Sequence, residues 1–334
     1  MEGQGAQRGF NEESPYDGFH SGLHEGFHSE SHEGFHSGFV TLIGRPNAGK
    51  STLINAVMGK KLAITSDTPQ TTRHRFRAIR SSDDYQLILV DTPGIHKPHD
   101  VLGEELNLSA QKAIESVDVI CFLLDVTKPF GTGDAWILDA VDAVATASAL
   151  PRFLVISKAD LGDAEKIDSH VAAATTHYRF DEVIALSAVQ GTNIERFVEL
   201  AVSYLPEGPA WFPADMSTDQ PIEVILSELI REKVLVSTFD EVPHAVGVQI
   251  EAFNFVESKG LYSILATIYV ERNSQKGILI GSRGEKIKQI GIQARSDLEH
   301  FLGSHVYLDL RVKVRKAWRK DMNQIRRFGY GERA

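Results

Sequence analysis

The chain's first chemical signal is an octapeptide, Gly44-Arg45-Pro46-Asn47-Ala48-Gly49-Lys50-Ser51, with Thr52 directly after it. The spacing of Gly44, Gly49, Lys50 and Ser51 is that of a phosphate-binding loop. Glycines let the backbone wrap until consecutive N–H groups face an anion, and a helix starting there adds the positive end of its dipole. Lys50 can then neutralise phosphate charge while the Ser51 hydroxyl reaches a Mg²⁺ ion. Asp91-Thr92-Pro93-Gly94 follows an apolar run at residues 86–90. At that place a carboxylate can hold the metal through water and the Gly94 N–H can face a terminal phosphate. Between the two, Gln70-Thr71-Thr72-Arg73 lies in a polar stretch where a switch loop would bring the Thr72 hydroxyl to the same ion. Lys50, Thr72, Asp91 and Gly94 are therefore the candidate catalytic residues, and Ser51, Thr72 and Asp91 the candidate metal ligands.

A second chemistry belongs to the other end of the chain. Ile280-Gly281-Ser282-Arg283-Gly284, with Lys286 and Lys288 just beyond, is a Gly-x-x-Gly turn between two helical stretches. Its glycines allow a phosphate chain to approach the backbone, and its cations attract one. The surrounding charge agrees. Residues 276–334 hold 14 Lys and Arg against 6 Asp and Glu, a local +8, whereas residues 1–275 hold 21 against 39, or -18. A solvated pair of amphipathic helices could carry the same charge. The turn within it points instead to single-stranded nucleic acid, and the net charge of -10 for the whole chain conceals this asymmetry.

These residues need a scaffold, and the alternation of the sequence supplies one. Apolar runs at 39–43, 86–90, 119–124, 153–156 and 183–186 read as strands, and stretches at 104–116, 134–147, 166–177 and 194–204 have helical spacing. The order predicts a mostly parallel sheet with helices on both faces, an α/β domain over residues 39–205. Residues 206–221 contain four prolines and read as a linker. A smaller α+β domain is expected over 222–330: a helix at 222–236, strands at 245–255 and 262–270, a helix at 285–302, a strand at 306–314 and a last basic helix at 317–327. Residues 1–38 repeat Gly-Phe-His-Ser with a period of eight and carry almost no aliphatic side chains. That composition predicts a disordered extension, and its histidines four apart raise metal binding as a second reading. The single cysteine, Cys121, cannot form an internal disulfide. With no apolar leader and no spanning-length apolar run, a cytosolic chain is expected.

Two further segments carry a family resemblance. Ser157-Lys158-Ala159-Asp160 and Ser187-Ala188 each follow an expected strand, and with the phosphate loop and Asp91–Gly94 they resemble the motif series of translation-factor-class GTPases. The resemblance implies that Asp160 selects guanine, that the Lys158 stem packs on the base, and that Ala188, beside Ser187, offers its N–H to the base oxygen. Ser157 stands where that series usually has Asn. Adding Thr71-Thr72-Arg73-His74-Arg75, Ile95 and the Gly-x-x-Gly turn, residues 39–330 are similar to the Era family of bacterial GTPases, a P-loop GTPase domain followed by a KH domain. That resemblance implies GTP/GDP and Mg²⁺ as ligands, with K⁺ beside Asn47. It also implies binding to the 3′ region of small-subunit (16S) ribosomal RNA, a part in 30S subunit maturation, peripheral membrane contact, and no obligate protein partner. Ile95 occupies the place where many GTPases orient water with Gln, so slow turnover is expected. A nickel-type metal-handling GTPase using the His repeat is the alternative. It leaves the basic domain without a task.

Overall fold

The structure, a computed structural model, describes residues 34–66, 76–91, 116–176, 178–239, 242–328 and 330. The candidates Thr71, Thr72, Arg73, His74, Arg75, Thr92, Pro93, Gly94 and Ile95 lie outside these residues, as do residues 104–115 of one expected helix and most of the His repeat.

The first domain is built on six strands: β1 (His36–Gly44), β2 (Phe76–Ser81), β3 (Tyr85–Asp91), β4 (Val119–Asp125), β5 (Arg152–Ser157) and β6 (Glu182–Ala185). They lie in the order β2-β3-β1-β4-β5-β6, parallel except for the antiparallel edge strand β2. Their side chains alternate between two apolar layers, which is why the central strands read as unbroken hydrophobic runs. On one face Leu42, Leu89, Cys121 and Val155 pack with Leu53 and Ile54 of α1 (Lys50–Met58) and Phe197 and Val198 of α4 (Ile194–Ser203). On the other, Ile43, Val90, Phe122 and Ile156 meet Ile137 and Val141 of α2 (Thr132–Ala147) and Ala174 of α3 (Ala164–Thr175). Each fully buried Val, Leu, Ile or Phe among them contributes about 1.5–3 kcal/mol relative to exposure. Local signals set the helix ends: Gly59 closes α1 at φ 62°, and the Asp163 carboxylate caps α3 by accepting from Lys166 N at 2.9 Å.

One boundary is corrected at this level. β1 begins at His36, so residues 36–38, assigned to the extension, belong to the sheet. His36 Nδ1 lies 2.9 Å from the Leu205 carbonyl, and the Ser37 hydroxyl donates to the Pro209 carbonyl at 2.6 Å, so these polar residues fasten the linker. The linker is also bonded to the sheet farther along. Its Ser217 carbonyl accepts from Ile79 N at 3.0 Å, and the buried Gln86 side chain accepts from Trp211 N and Phe212 N at 2.8 and 2.9 Å. The segment is strapped along the β2 side of the sheet.

The second domain runs α5 (Ile222–Val236), β7 (Gly247–Val256), β8 (Leu261–Val270), α6 (Asn273–Ile280), α7 (Glu285–Leu302), β9 (His305–Val314) and α8 (Met322–Arg327). β7 and β8 are antiparallel, and β9 joins β8 in parallel. Leu226 and Ile230 of α5, Leu279 of α6, and Ile290, Ala294 and Leu298 of α7 pack against Ile264, Ala266 and Ile268. The expected helix at 317–327 is broken: Ala317 adopts φ 52°, a 3₁₀ turn spans Trp318–Lys320, and only Met322–Arg327 is α-helical. The break allows Trp318 to bury itself and to donate from Nε1 to the Ala245 carbonyl at 2.9 Å. Among the described residues no helix is long and apolar enough to cross a membrane.

A four-charge cluster joins the domains. Lys61, in the loop after α1, pairs with Glu232 of α5 and with Asp297 of α7 at 2.7 Å, and Lys233 lies 3.0 and 2.6 Å from the same two carboxylates. Glu232 also accepts from Thr65 N at 2.9 Å. Partial burial would raise the Asp297 carboxyl, but hydrogen bonds from Lys233 and Lys61 outweigh it and hold the group below the usual range. A carboxyl lowered by folding contributes stability above its unfolded value, near 3.9, and loses it as pH falls through the folded value. Asp297→Asn is therefore expected to destabilise by about 1–2 kcal/mol near neutrality. In urea unfolding curves the difference from the unaltered protein should shrink steadily as pH falls below the ordinary carboxylate range; a difference that does not change with pH would mean that Asp297 acts through packing.

Candidate functional site: a phosphate loop, a base-edge motif and a Gly-x-x-Gly turn

β1 and β4 are neighbours, and the chain runs from β1 to β2 and β3 on one side but from β4 to β5 on the other, which opens a crevice at the carboxyl ends of these strands. The phosphate loop fills that position. Gly44 ends β1 at φ 155°, and a side chain there would place its Cβ 2.6 Å from the Leu123 carbonyl. Gly49 adopts φ 93° as the N-cap of α1, a conformation that an L residue with a side chain rarely takes. Asn47, at φ 66°, takes the turn between them.

Lys50 opens α1 and is buried, with Nζ donating to the Gly44 carbonyl at 3.0 Å and the Arg45 carbonyl at 3.2 Å. Burial pulls its ammonium below the usual lysine range, and the Asp91 carboxylate acts in the opposite direction. Next to it, the Ser51 hydroxyl donates to Asp91 Oδ2 at 3.0 Å. A hydroxyl and a fully buried carboxylate side by side at a strand end are hard oxygen donors of the kind Mg²⁺ takes, so the residues present fit that ion. Arg45 leans away from the loop and pairs with buried Asp134 of α2 at 3.1 Å. Pro46 and Ala48 line the same small recess.

Ser157-Lys158-Ala159-Asp160 leaves β5 two strands away. Lys158 adopts φ 57°, and Asp160 sits in a 3₁₀ turn (Ala159–Leu161) at the crevice. Although shorter than Asn, Ser157 reaches the phosphate loop: its hydroxyl donates to the Ala48 carbonyl at 2.7 Å and lies 3.3 Å from the Leu124 carbonyl. The Ala159 N–H donates to the Leu186 carbonyl at 3.0 Å, which brings Ser187 and Ala188 beside Asp160. The Ser187 hydroxyl accepts from Gln190 N at 3.1 Å and shapes that loop. One participant has no motif to reveal it: Asp125, at the end of β4, pairs with Lys158 Nζ at 2.8 Å. Only the position of an acid at the end of an apolar run could have marked it.

In the second domain, Ile280 ends α6, Gly281 adopts φ 71°, Arg283 φ 50° and Gly284 φ 80°, and α7 starts at Glu285. A Cβ at Gly281 would lie 2.7 Å from Lys286 Cβ, so glycine is required for the turn to close on α7. The Ser282, Arg283 and Lys288 side chains are exposed beside the start of an 18-residue helix, which presents cations and N–H groups together. Among the described residues no cluster of three or more His, Cys, Asp or Glu is arranged to hold a metal ion, and most of the His repeat on which the metal-handling reading rests lies outside them.

The Ser157 contact yields a measurable expectation. Ser157→Ala removes the hydrogen bond that braces Ala48, and guanine-nucleotide affinity should fall by about 0.5–1.5 kcal/mol, or roughly two- to tenfold. Unchanged affinity in a fluorescent-nucleotide titration would show that the loop holds its shape unaided.

Comparison with known proteins agrees with this geometry. Residues 39–158 match a family model described as 50S ribosome-binding GTPase, and residues 241–319 match the KH domain model. Among solved structures, Aquifex aeolicus Era Y63A bound to GDP·AlF₄⁻ is 35% identical, with a TM-score of 0.85, over 89% of this chain and 100% of its own. Era in complex with MgGDPNP and nucleotides 1506–1542 of 16S ribosomal RNA gives the same values. With both domains matched in order and at that identity, the chain belongs to the Era family.

Proposed function

We propose that the first domain binds GTP and hydrolyses it to GDP and phosphate, and that the second binds small-subunit ribosomal RNA in 30S assembly. The observation that carries this is the meeting of the phosphate loop, Asp91 and Ser157–Asp160 at the carboxyl end of one sheet, in a chain that continues into a basic Gly-x-x-Gly domain. The broad GTPase model matches only the first domain, so the RNA partner is read from the second, whose relative holds a 16S fragment.

Mg²⁺, held by Ser51 and Asp91, would neutralise charge on the β- and γ-phosphates. Thr72, the third assigned ligand, and Gly94, assigned to the γ-phosphate, rest on the motif. Lys50 supplies a positive charge already stripped of water, which strengthens its attraction for phosphate. Hydrolysis by water then depends on positioning more than on a strong base, and Ile95 cannot orient that water, so turnover is slow. Asn47, turned at φ 66° beside the cradle, is the assigned ligand for K⁺, and hydrolysis in KCl against NaCl tests it. On the second domain the same cations would permit peripheral contact with an anionic membrane surface as well as with RNA.

Two substitutions examine the two halves separately. Asp160→Asn replaces a pair of acceptors by a donor and an acceptor, so GTP affinity should fall about a hundredfold while xanthosine triphosphate gains. Equal affinity of the unaltered protein for GTP and ATP would contradict the guanine assignment. Replacing Ser282 and Arg283 together by Asp should weaken binding to a 16S 3′ fragment at least tenfold (~1.4 kcal/mol) and lower the salt slope by about one. Unchanged binding to that fragment, with lost affinity for anionic vesicles, would assign the basic face to membranes.

A further inference from the structure

Asp125 is the acid that the phosphate and base motifs leave without a task. It ends β4, is buried, and pairs across the strand ends with Ser157 of β5. Both carboxylate oxygens are engaged: Oδ2 accepts from Lys158 Nζ at 2.8 Å, and Oδ1 accepts from Thr127 N at 2.9 Å and the Thr127 hydroxyl at 2.6 Å. We propose that Asp125 is a positioning residue for guanine recognition, holding the Lys158 ammonium so that the aliphatic stem of that lysine is a preformed platform for the base. The inference rests on the assignment of Lys158 to the base, made above.

Three observations carry it. First, Lys158 is in the left-handed region at φ 57°, and its head is turned back onto β4, so the ion pair fixes both ends of the side chain. Second, the carboxylate is itself fixed. Thr127 holds one oxygen, Lys128 N donates to the Asp125 carbonyl at 3.1 Å, and the Lys128 carbonyl lies 2.8 Å from His170 Nε2 of α3. Third, with both oxygens occupied, Asp125 acts through Lys158 and not on the nucleotide directly. Burial would raise its carboxyl, but the bonds from Lys158 and Thr127 outweigh burial and hold it below the usual range, so it stays a carboxylate at neutral pH. A free lysine has more rotamer freedom to lose on binding than most side chains. A counter-charge fixed in advance removes that loss and raises affinity without touching the ligand.

The test is a double-mutant cycle on the full chain, read as the dissociation constant of a fluorescent GDP. Asp125→Asn keeps the volume and an acceptor for Thr127 but cannot hold the ammonium; affinity should fall about tenfold, or ~1.4 kcal/mol. In a Lys158→Met background, which keeps the stem and removes the charge, the same substitution should change affinity by less than about twofold. Asp125→Glu, which retains the charge, should bind within about threefold of the unaltered protein. Equal losses from Asp125→Asn in both backgrounds, or no loss in either, would overturn the proposal while leaving the base assignment standing. Should Lys158→Ala, which removes the stem as well, leave GDP affinity unchanged, the base assignment fails and the positioning role with it. If Asp125→Asn does not fold, Thr127→Val loosens the carboxylate without removing it. A loss of about threefold is then expected with Lys158 and none with Met at that position, and the same overturning outcomes apply.

Discussion

A lysine ammonium removed from water and held on two backbone carbonyls is an arrangement that favours the arrival of an anion, and Lys50 is in that situation. Much of the first domain follows from keeping it there. Gly44 must have no side chain because the β4 backbone stands where one would go, and Gly49 must tolerate a left-handed turn to start α1. Two apolar layers hold β1, β3, β4 and β5 at fixed spacing, so that Asp91 stands next to Ser51 and Ser157 reaches Ala48. The phosphate cradle and the base-edge motif, more than a hundred residues apart in sequence, are thereby one hydrogen-bonded unit.

What was legible in the sequence was whatever repeats with a secondary-structure period or sits in a local motif. α5 and α7 begin and end where their apolar spacing places them, at Ile222–Val236 and Glu285–Leu302. The phosphate loop is contiguous and needs no partner to be recognised. β2 escaped because Arg77, Arg80 and Ser81 interrupt its apolar pattern, as suits a strand at the edge of a sheet. Residues 36–38 escaped because a polar repeat runs into a strand without a change of composition. Ser157 is the instructive case: it stands where the series usually has Asn, and the close approach of β5 to the phosphate loop lets its shorter hydroxyl make the brace.

The contacts between domains were not legible at all. Lys61 and Asp297 are separated by 236 positions, and no periodicity links them. Their cluster lies on the loop that leaves α1, which Asn55 shapes by accepting from Leu62 N and Ala63 N at 2.9 Å. α1 carries the phosphate loop at its start and this loop at its end, so a nine-residue helix connects the nucleotide crevice to the surface that meets α5 and α7. Phe301 of α7 reinforces the junction by packing against the apolar layers of both domains.

The linker strapped along β2 has an effect on how molecules of this protein meet one another. An edge strand normally displays a row of unsatisfied backbone donors and acceptors, an open template on which another chain can add a strand and begin aggregation. Here Ser217 and Thr218 occupy that template at Ile79 and Ala78, and Arg77 pairs with Asp219 at 3.2 Å. The segment that connects the two domains is therefore also a guard rail, which keeps the sheet from growing outward into a neighbouring copy.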